Sequence, residues 1–193
     1  MFTFVLVPYS PLEPKTEVVF LLDASQGVRP DDYKREKEFV KSQASHFNIN
    51  PAGARGIVIV YGNQSSVVRF NDLQFEKRID SAPFLGTPRR TDRAIALATQ
   101  ILQTSRPDTR KIVIVMMAGQ QTPGARPLGD FTEPLRKLGA QRFVIVIGNE
   151  PRDRDLLPLV DGLKDIIRLT SFEGLSLQSR TISKKIRDKP GES

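Results

Sequence analysis

An aspartate and a serine directly follow a run of apolar residues near the start of the chain. The run Val18–Leu22 leads into residues 23–27, Asp-Ala-Ser-Gln-Gly, and this pattern predicts a buried strand followed by a polar loop. In an open α/β sheet, ligands bind beyond the carboxyl ends of the strands, where Asp23 and Ser25 would lie. A carboxylate and a hydroxyl at this place could act as nucleophiles or bind a ligand.

Catalysis by these side chains would need partners that the sequence lacks. An aspartyl-phosphate nucleophile at Asp23 would need a second aspartate two residues on, where Ser25 stands. A Ser25–His46 dyad would need the Gly-x-Ser-x-Gly turn, which does not surround Ser25, and His46 near a helix end fits a capping or exposed role better. No Gly-x-x-x-x-Gly-Lys-Ser/Thr loop is present to hold nucleotide phosphates. We therefore predict that the protein is not an enzyme.

The composition excludes several kinds of metal and redox site. The 193 residues include no cysteine and one histidine, which excludes disulfides, zinc–thiolate sites and multi-histidine metal sites within the chain. Lys and Arg number 29 against 22 Asp and Glu, giving a net charge of +7 that favours acidic partners. Because many globular domains carry a similar charge, we predict no nucleic-acid partner.

Basic residues concentrate in four stretches of the chain. A charged, solvated surface and the ends of helices account for most stretches of this kind. If several of them converged on one face, they would suit a sulfated glycosaminoglycan or another acidic polysaccharide. The four stretches are Arg89-Arg90 with Arg93, Arg106–Lys111, Arg152 with Arg154, and Lys184–Lys189.

Apolar strands alternate with amphipathic helices along the chain. Strands are predicted at 18–22, 57–61, 67–70, 112–117, 143–147 and 166–169, and helices at 30–47, 73–79, 92–103, 130–138, 153–160 and 175–186. This alternation predicts an α/β, doubly wound, mostly parallel sheet of about six strands with helices on both faces. The hairpin at 57–70 predicts one antiparallel edge strand. On the first helix, Tyr33 and Val40 lie on an apolar stripe, and residues 34–38 are expected to face solvent.

Two short segments flank the predicted domain at 16–186. Residues 1–15 contain three prolines and predict an extended lead-in, in which Phe2, Phe4 and Leu6 could form a short edge strand. Residues 187–193 predict a polar, frayed tail.

The longest apolar run is strand-sized, against the roughly 18 residues of a membrane span, so no membrane insertion is expected. The first residues lack the basic region and cleavage site of a signal peptide.

Taken together, the segments resemble a von Willebrand factor A (vWA) domain over residues 16–186. The resemblance rests on Asp23-Ala-Ser25 after the first strand, Thr91-Asp-Arg-Ala-Ile95 opening a helix, and Phe143-Val-Ile-Val-Ile-Gly148. The first loop looks closest to the A domains of type VI collagen and related matrix proteins. Members of the family often carry a metal-ion-dependent adhesion site (MIDAS). There an Asp-x-Ser-x-Ser loop, a threonine of a second loop and an aspartate of a third hold Mg²⁺ or Mn²⁺, and the partner protein adds a carboxylate.

This chain departs from the MIDAS pattern at three of five ligand positions. Asp23 and Ser25 match, but Gly27 has no ligand atom. Arg89 stands where the threonine is expected, and Ala118 replaces the aspartate of the third loop. A fixed positive charge and a lost carboxylate both disfavour a bound cation. The resemblance therefore predicts a degenerate, metal-free site without a cofactor.

An unpaired carboxylate at Asp23 would be costly to bury, so we predict that it pairs with Arg89 or with Arg90. A shift of the second loop by two residues is the alternative. It would bring Thr87 or Thr91 inward and allow Mg²⁺ binding with the help of Asp23 and Ser25.

The resemblance implies a non-enzymatic protein-interaction module of adhesion or matrix type, which would be extracellular. Its partner would be an extracellular or matrix protein, with a collagen as one candidate. Two alternatives stay open: acidic polysaccharide binding through a basic surface, and metal-dependent adhesion. The absence of cysteines and of a signal sequence also leaves an intracellular vWA domain open. We expect ligands at the top face, defined here by Asp23, Ser25, Gly27, Arg89, Arg90, Thr91, Ala118, Gly119, Gln120 and Gln121.

Overall fold

A six-stranded sheet forms the centre of the protein, in the order β3-β2-β1-β4-β5-β6. The computed structural model describes residues 15–50, 53–70, 74–106 and 108–190. All neighbouring strands are parallel except β2 and β3, so β3 is the antiparallel edge strand. The predicted fold class is confirmed. The strands are β1 (Thr16–Asp23), β2 (Arg55–Tyr61), β3 (Ser65–Phe70), β4 (Arg110–Met117), β5 (Ala140–Ile147) and β6 (Ile166–Leu169).

Helices cover both faces of the sheet because the inner strands are apolar at successive positions. In β1, Val18, Phe20 and Leu22 point into one core, whereas Val19 and Leu21 point into the other. The first core is closed by α1 (Pro30–His46), α2 (Phe75–Asp80), α6 (Glu173–Leu177) and α7 (Ser179–Arg187). The second core is closed by α3 (Thr91–Gln103), α4 (Thr132–Lys137) and α5 (Asp153–Leu156).

The strand order reverses between β1 and β4. From β1 the chain continues to β2 and β3 on one side of the sheet, and from β4 it continues to β5 and β6 on the other. Such a reversal opens a crevice at the carboxyl ends of the two central strands, which is the usual ligand position in open α/β sheets. The end of β1 at Asp23 and the end of β4 at Met117 therefore flank this crevice.

Three helix predictions needed correction. The closing helix is divided into α6 and α7 at Gln178, and α5 ends at Leu156 instead of continuing to residue 160. The helix expected from residue 130 begins at Thr132, after a 3₁₀ turn over Leu128–Phe131, without a capping box. Short 3₁₀ turns commonly occupy helix ends.

The end of the described chain packs against the domain. Lys189 Nζ lies 2.6 Å from Oδ2 of Asp161 and 2.9 Å from Oδ2 of Asp165, and the Gln141 amide donates to the Lys189 carbonyl. The prediction of a frayed tail is therefore wrong for residues 187–190. The rest of that tail, the lead-in before residue 15 and its suggested strand lie outside the described residues. No helix in the described ranges is long and apolar enough to cross a membrane.

Candidate functional site

The predicted top-face residues come together at the crevice between β1 and β4. The loop after β1 is held against the second loop by backbone hydrogen bonds, from Gln26 N to Thr87 O at 2.9 Å and from Gly86 N to Ala24 O at 2.9 Å. The third loop is held to the second by a bond from Thr122 N to Arg89 O at 3.0 Å. Three loops from distant parts of the sequence thus form one surface.

Arg89 lies at the centre of this surface. Its Nε donates to Oδ2 of Asp23 at 2.6 Å, its Nη1 donates to the carbonyl of Gln120 at 3.0 Å, and its Nη2 donates to the carbonyl of Ala118 at 3.2 Å. The prediction that an arginine pairs with Asp23 is confirmed, and the arginine is Arg89. The guanidinium therefore joins all three loops, since it contacts both the end of β1 and the loop after β4.

Two glycines leave space for this guanidinium. A Cβ atom at Gly27 would lie 2.8 Å from Nη2 of Arg89, and a Cβ atom at Gly119 would lie 2.6 Å from Nη1. Both distances are shorter than van der Waals contact. Gly119 also has a φ of 145°, a conformation that residues with a side chain rarely adopt. The serine of the MIDAS pattern would therefore compete with Arg89 for space at position 27.

The Asp23 carboxylate is fully buried, and its hydrogen bonds are internal. Besides Arg89, it accepts from the backbone N–H of Ala118 at 3.0 Å and from that of Ser25 at 3.2 Å. Charge-assisted bonds of this kind offset the loss of water around a buried carboxylate. Asp23 is thus a structural anion that fixes the first and third loops.

A second buried carboxyl group, Glu36, lies beneath Asp23. Its Oε2 accepts from the backbone N–H of Asp23 at 2.8 Å, and Glu36 has no solvent exposure. Burial, together with the nearby charge of Asp23, raises the pKa of Glu36 well above its usual range. The expectation that residues 34–38 face solvent is wrong for Glu36. Its spacing of three from Tyr33 and four from Val40 is the signal that places it on the buried stripe of α1.

Arg90 points away from Asp23 and pairs with Asp92. Its Nε and Nη2 donate to the two carboxylate oxygens of Asp92 at 2.8 and 2.7 Å. The backbone N–H of Asp92 in turn donates to Oε1 of Gln121 at 2.8 Å. Burial alone would raise the pKa of Asp92, but the hydrogen bonds from Arg90 and from the Arg126 backbone lower it overall. Asp92, which sequence reasoning missed, therefore anchors the second and third loops.

Hydroxyl groups and Gln120 complete the top face. The Ser25 side chain is buried, and none of the described residues hydrogen-bonds its Oγ. Thr91 is buried in the first turn of α3, and the Thr87 hydroxyl accepts from the Asn63 N–H at 2.8 Å. The shifted-loop alternative is therefore not the arrangement seen, since Arg89 takes the inner position. Gln120 is exposed and donates to Glu150 at 2.7 Å.

The residues present do not fit a divalent cation at the MIDAS position. The Asp23 carboxylate, which would be the charged oxygen ligand that Mg²⁺ prefers, is already bound to Arg89, and the hydroxyls of Ser25 and Thr91 carry no charge to offset that of the guanidinium. Gly27 and Ala118 provide no side-chain oxygen. Within the described ranges, no group of three or more His, Asp or Glu side chains could hold a metal ion elsewhere.

Four of the cations in the basic stretches are engaged in contacts within the fold. Arg89 and Arg90 are bound to Asp23 and Asp92, and Lys189 is bound to Asp161 and Asp165. The guanidinium of Arg110 is occupied by Gln141 and by backbone carbonyls near the end of the chain. These four charges therefore stabilise the fold internally, whereas Arg93, Arg152, Arg154, Lys184, Lys185 and Arg187 are exposed.

Comparison with known families identifies the class of protein. The family model of the von Willebrand factor type A domain matches residues 17–175, so the chain belongs to this family. The predicted resemblance is confirmed.

Two curated relatives are collagen chains. The chain is 27% identical to the collagen alpha-4(VI) chain of Mus musculus, over 68% of this chain and 6% of that protein. It is 30% identical to the collagen alpha-1(XXI) chain of Xenopus laevis, over 72% of this chain and 15% of that protein. The chain thus spans only a small part of these relatives.

A solved structure shares the fold. Proximal thread matrix protein 1 from the mussel byssus, determined with a zinc-occupied MIDAS motif, superposes with a TM-score of 0.77 at 20% identity. The match covers 89% of this chain and 45% of the mussel protein.

Proposed function

We propose that this chain is a non-enzymatic protein-interaction module of the extracellular matrix, which binds a matrix protein through its top face without a bound metal ion. The family and its collagen relatives support the interaction role. The single observation that carries the metal-free part is the Arg89 guanidinium, held by Asp23 and by the carbonyls of Ala118 and Gln120. A collagen is our first candidate partner.

Arg89 supplies the positive charge that a metal ion would bring to this site, and its hydrogen bonds link the loops around it. A guanidinium is always charged in proteins, whereas a metal ion can leave when its concentration falls. Three of its five N–H groups are donated to the first and third loops, so the loops are cross-linked by the protein itself. Binding through this face would then be independent of divalent cations.

Calorimetric titration with Mg²⁺ and with Mn²⁺, together with thermal unfolding in the presence and absence of EDTA, tests the metal-free part. We expect no heat of binding and an unchanged melting temperature. A ligand present at 100 times its Kd would stabilise the fold by about 2.7 kcal/mol. Saturable heat with a matching rise in melting temperature would overturn the metal-free proposal.

The interaction role is tested by binding to immobilised type VI collagen in EDTA. The variant Gln120→Lys changes an exposed top-face residue, whereas Lys164→Gln changes an exposed residue at the amino end of β6, on the opposite edge of the sheet. We expect the first variant to weaken binding and the second to leave it unchanged. Equal binding by both variants would contradict the use of the top face.

A further inference from the structure

A pocket of about 390 Å³ opens at the amino edge of the sheet, opposite the top face. It lies between the starts of β1 and β2, the end of β3 and the end of α3. Its lining combines charged, hydroxyl and apolar groups. The residues that line it are Glu17, Arg55, Gly56, Ile57, Arg69, Ile101, Thr104 and Ser105.

The strand register brings two arginines to this pocket. Arg69 of β3 lies directly opposite Ile57 of β2, and Arg55 precedes Ile57 by two residues in the same strand. Residues two apart in a strand point to the same face, and diagonal neighbours on adjacent strands lie within reach of long side chains. Both guanidinium groups therefore stand on the α3 side of the sheet, at its edge.

The floor of the pocket carries one buried carboxylate. Glu17 accepts a hydrogen bond from Ser105, and its Oε1 lies 3.8 Å from Nη1 of Arg55 and 3.8 Å from Nε of Arg106. These two separations are too long for hydrogen bonds, so Glu17 holds the arginines near it without using their N–H groups.

The pocket and its wall carry an excess of positive charge. Arg55 and Arg69 line the pocket, Arg106 lies 3.8 Å from Glu17, and Glu17 is the one carboxylate among the lining residues. Arg55 keeps a side-chain exposure of 46%, and Arg69 is exposed. In the part of the chain that the structure describes, no carboxylate lies within ion-pair distance of Arg69. The open N–H donors are therefore free to bind an anion from solution.

We propose that this pocket binds a sulfated sugar unit of an acidic polysaccharide. Arginine binds planar oxyanions through paired N–H groups, so Arg55 and Arg69 would take the sulfate. Thr104 and Ser105 offer hydroxyl oxygens to sugar hydroxyls, and Ile57 and Ile101 offer an apolar wall to the C–H face of a sugar ring. An acidic peptide would also pair with the arginines, but a sugar ring matches the hydroxyl groups with its own hydroxyls and the apolar wall with its C–H face, so the mixed lining favours the sugar.

The experiment compares a heparin-derived tetrasaccharide, its desulfated counterpart and an octaglutamate peptide by calorimetric titration at 50 and 150 mM salt. Arg55→Ser/Arg69→Ser is the test variant. Arg93→Ser/Arg180→Ser, at exposed positions outside the pocket, is the control with an equal change in net charge. Thermal unfolding of both variants checks that the fold is intact.

We expect the wild-type protein to bind the sulfated tetrasaccharide and to bind it less tightly at higher salt, because counterions are released from a polyanion on binding. The test variant should lose about tenfold or more in affinity, and the control less than about threefold. Four outcomes would each overturn the proposal: no binding at 50 mM salt, equal losses in both variants, undiminished binding after desulfation, or equally tight binding of octaglutamate. None of them bears on the top-face proposal, since the two surfaces lie at opposite edges of the sheet.

Discussion

The Nε atom of Arg89 lies 2.6 Å from Oδ2 of Asp23, in an ion pair of which the arginine side chain is 10% exposed and the aspartate not at all. The pair links the end of β1 to the loop before α3, residues that are 66 positions apart in the sequence. Removing one partner of such a pair leaves a buried charge without compensation, whereas removing both partners together leaves none. The stability of the fold should therefore depend strongly on Arg89.

Arg89→Ala should lower the free energy of unfolding by about 3–5 kcal/mol, because Asp23 would stay buried without its cation. Urea-induced unfolding measures this change. Arg93→Ala is the matched control, since Arg93 is exposed and donates to Asn63, and it should stay within about 0.5 kcal/mol of the wild type. The double variant Asp23→Asn/Arg89→Met should lose less than Arg89→Ala alone. A loss below about 1 kcal/mol in Arg89→Ala would show that the pair is not important for stability.

The combined variant Gly27→Ser/Arg89→Thr/Ala118→Asp should gain binding of Mg²⁺ and Mn²⁺. It restores a serine hydroxyl, a threonine hydroxyl and a carboxylate around Asp23 and Ser25, the hard oxygen ligands that these cations prefer. It also removes the guanidinium charge. Calorimetric titration should show saturable binding, and the added cation should raise the melting temperature.

Arg89→Thr alone is the control for this experiment. It removes the positive charge but supplies neither the serine at position 27 nor the aspartate at position 118, so it should bind the cations much more weakly than the combined variant. If the folded combined variant bound no cation, the three departures from the MIDAS pattern would not be what excludes the metal.

The order of strands and helices follows closely from the sequence because each inner strand is a continuous apolar run. In β4 and β5 almost every side chain is buried, and a run of this kind is compatible only with a sheet covered on both faces. Helix ends were harder to predict, since they depend on local turns. The interruption at Gln178 separates two helices whose apolar residues share a single periodic pattern.

At the candidate site, the sequence predicts which residues meet but not which of them bind each other. Arg89 and Arg90 are equivalent as residue types, and only the backbone of the second loop directs one to Asp23 and the other to Asp92. Arg55 and Arg69 are not predicted as neighbours, because their proximity depends on the register of the β2–β3 hairpin. Pairing between distant segments is the information that a local pattern lacks.

Gly27→Ser alone should destabilise the protein by about 1–3 kcal/mol, although serine is the residue that the MIDAS pattern has at this position. The added Cβ would lie 2.8 Å from Nη2 of Arg89, which is held in place by its bonds to Asp23, Ala118 and Gln120. Thermal unfolding measures the loss. In the background of Arg89→Thr, the same change should cost much less, because the obstructing group is gone. Equal costs in both backgrounds would contradict direct steric competition.

Glu36→Gln should stabilise the protein increasingly as the pH rises. The folded-state pKa of Glu36 is raised by burial and by Asp23, whereas a glutamate in the unfolded chain has a pKa of about 4.3. Below that pH both states carry the proton and Glu36 contributes no pH dependence. Above it, the unfolded chain releases a proton that the folded protein retains, so the wild type loses up to about 1.4 kcal/mol per pH unit until the folded pKa is reached. A glutamine, which has no such proton, avoids this loss and can still accept from the Asp23 N–H.

Urea-induced unfolding of the wild type and of Glu36→Gln at pH 5.0 and at pH 7.5 measures the difference. The stability advantage of the variant should be larger at pH 7.5. Glu38→Gln is the control, since Glu38 lies on the exposed side of the same helix and pairs with Lys41. A difference between wild type and Glu36→Gln that stays constant over this range would mean that the folded protein holds Glu36 ionised. In that case the Arg89 charge would be shared between Asp23 and Glu36, because Arg89 is the cation whose charge opposes the raised pKa of Glu36.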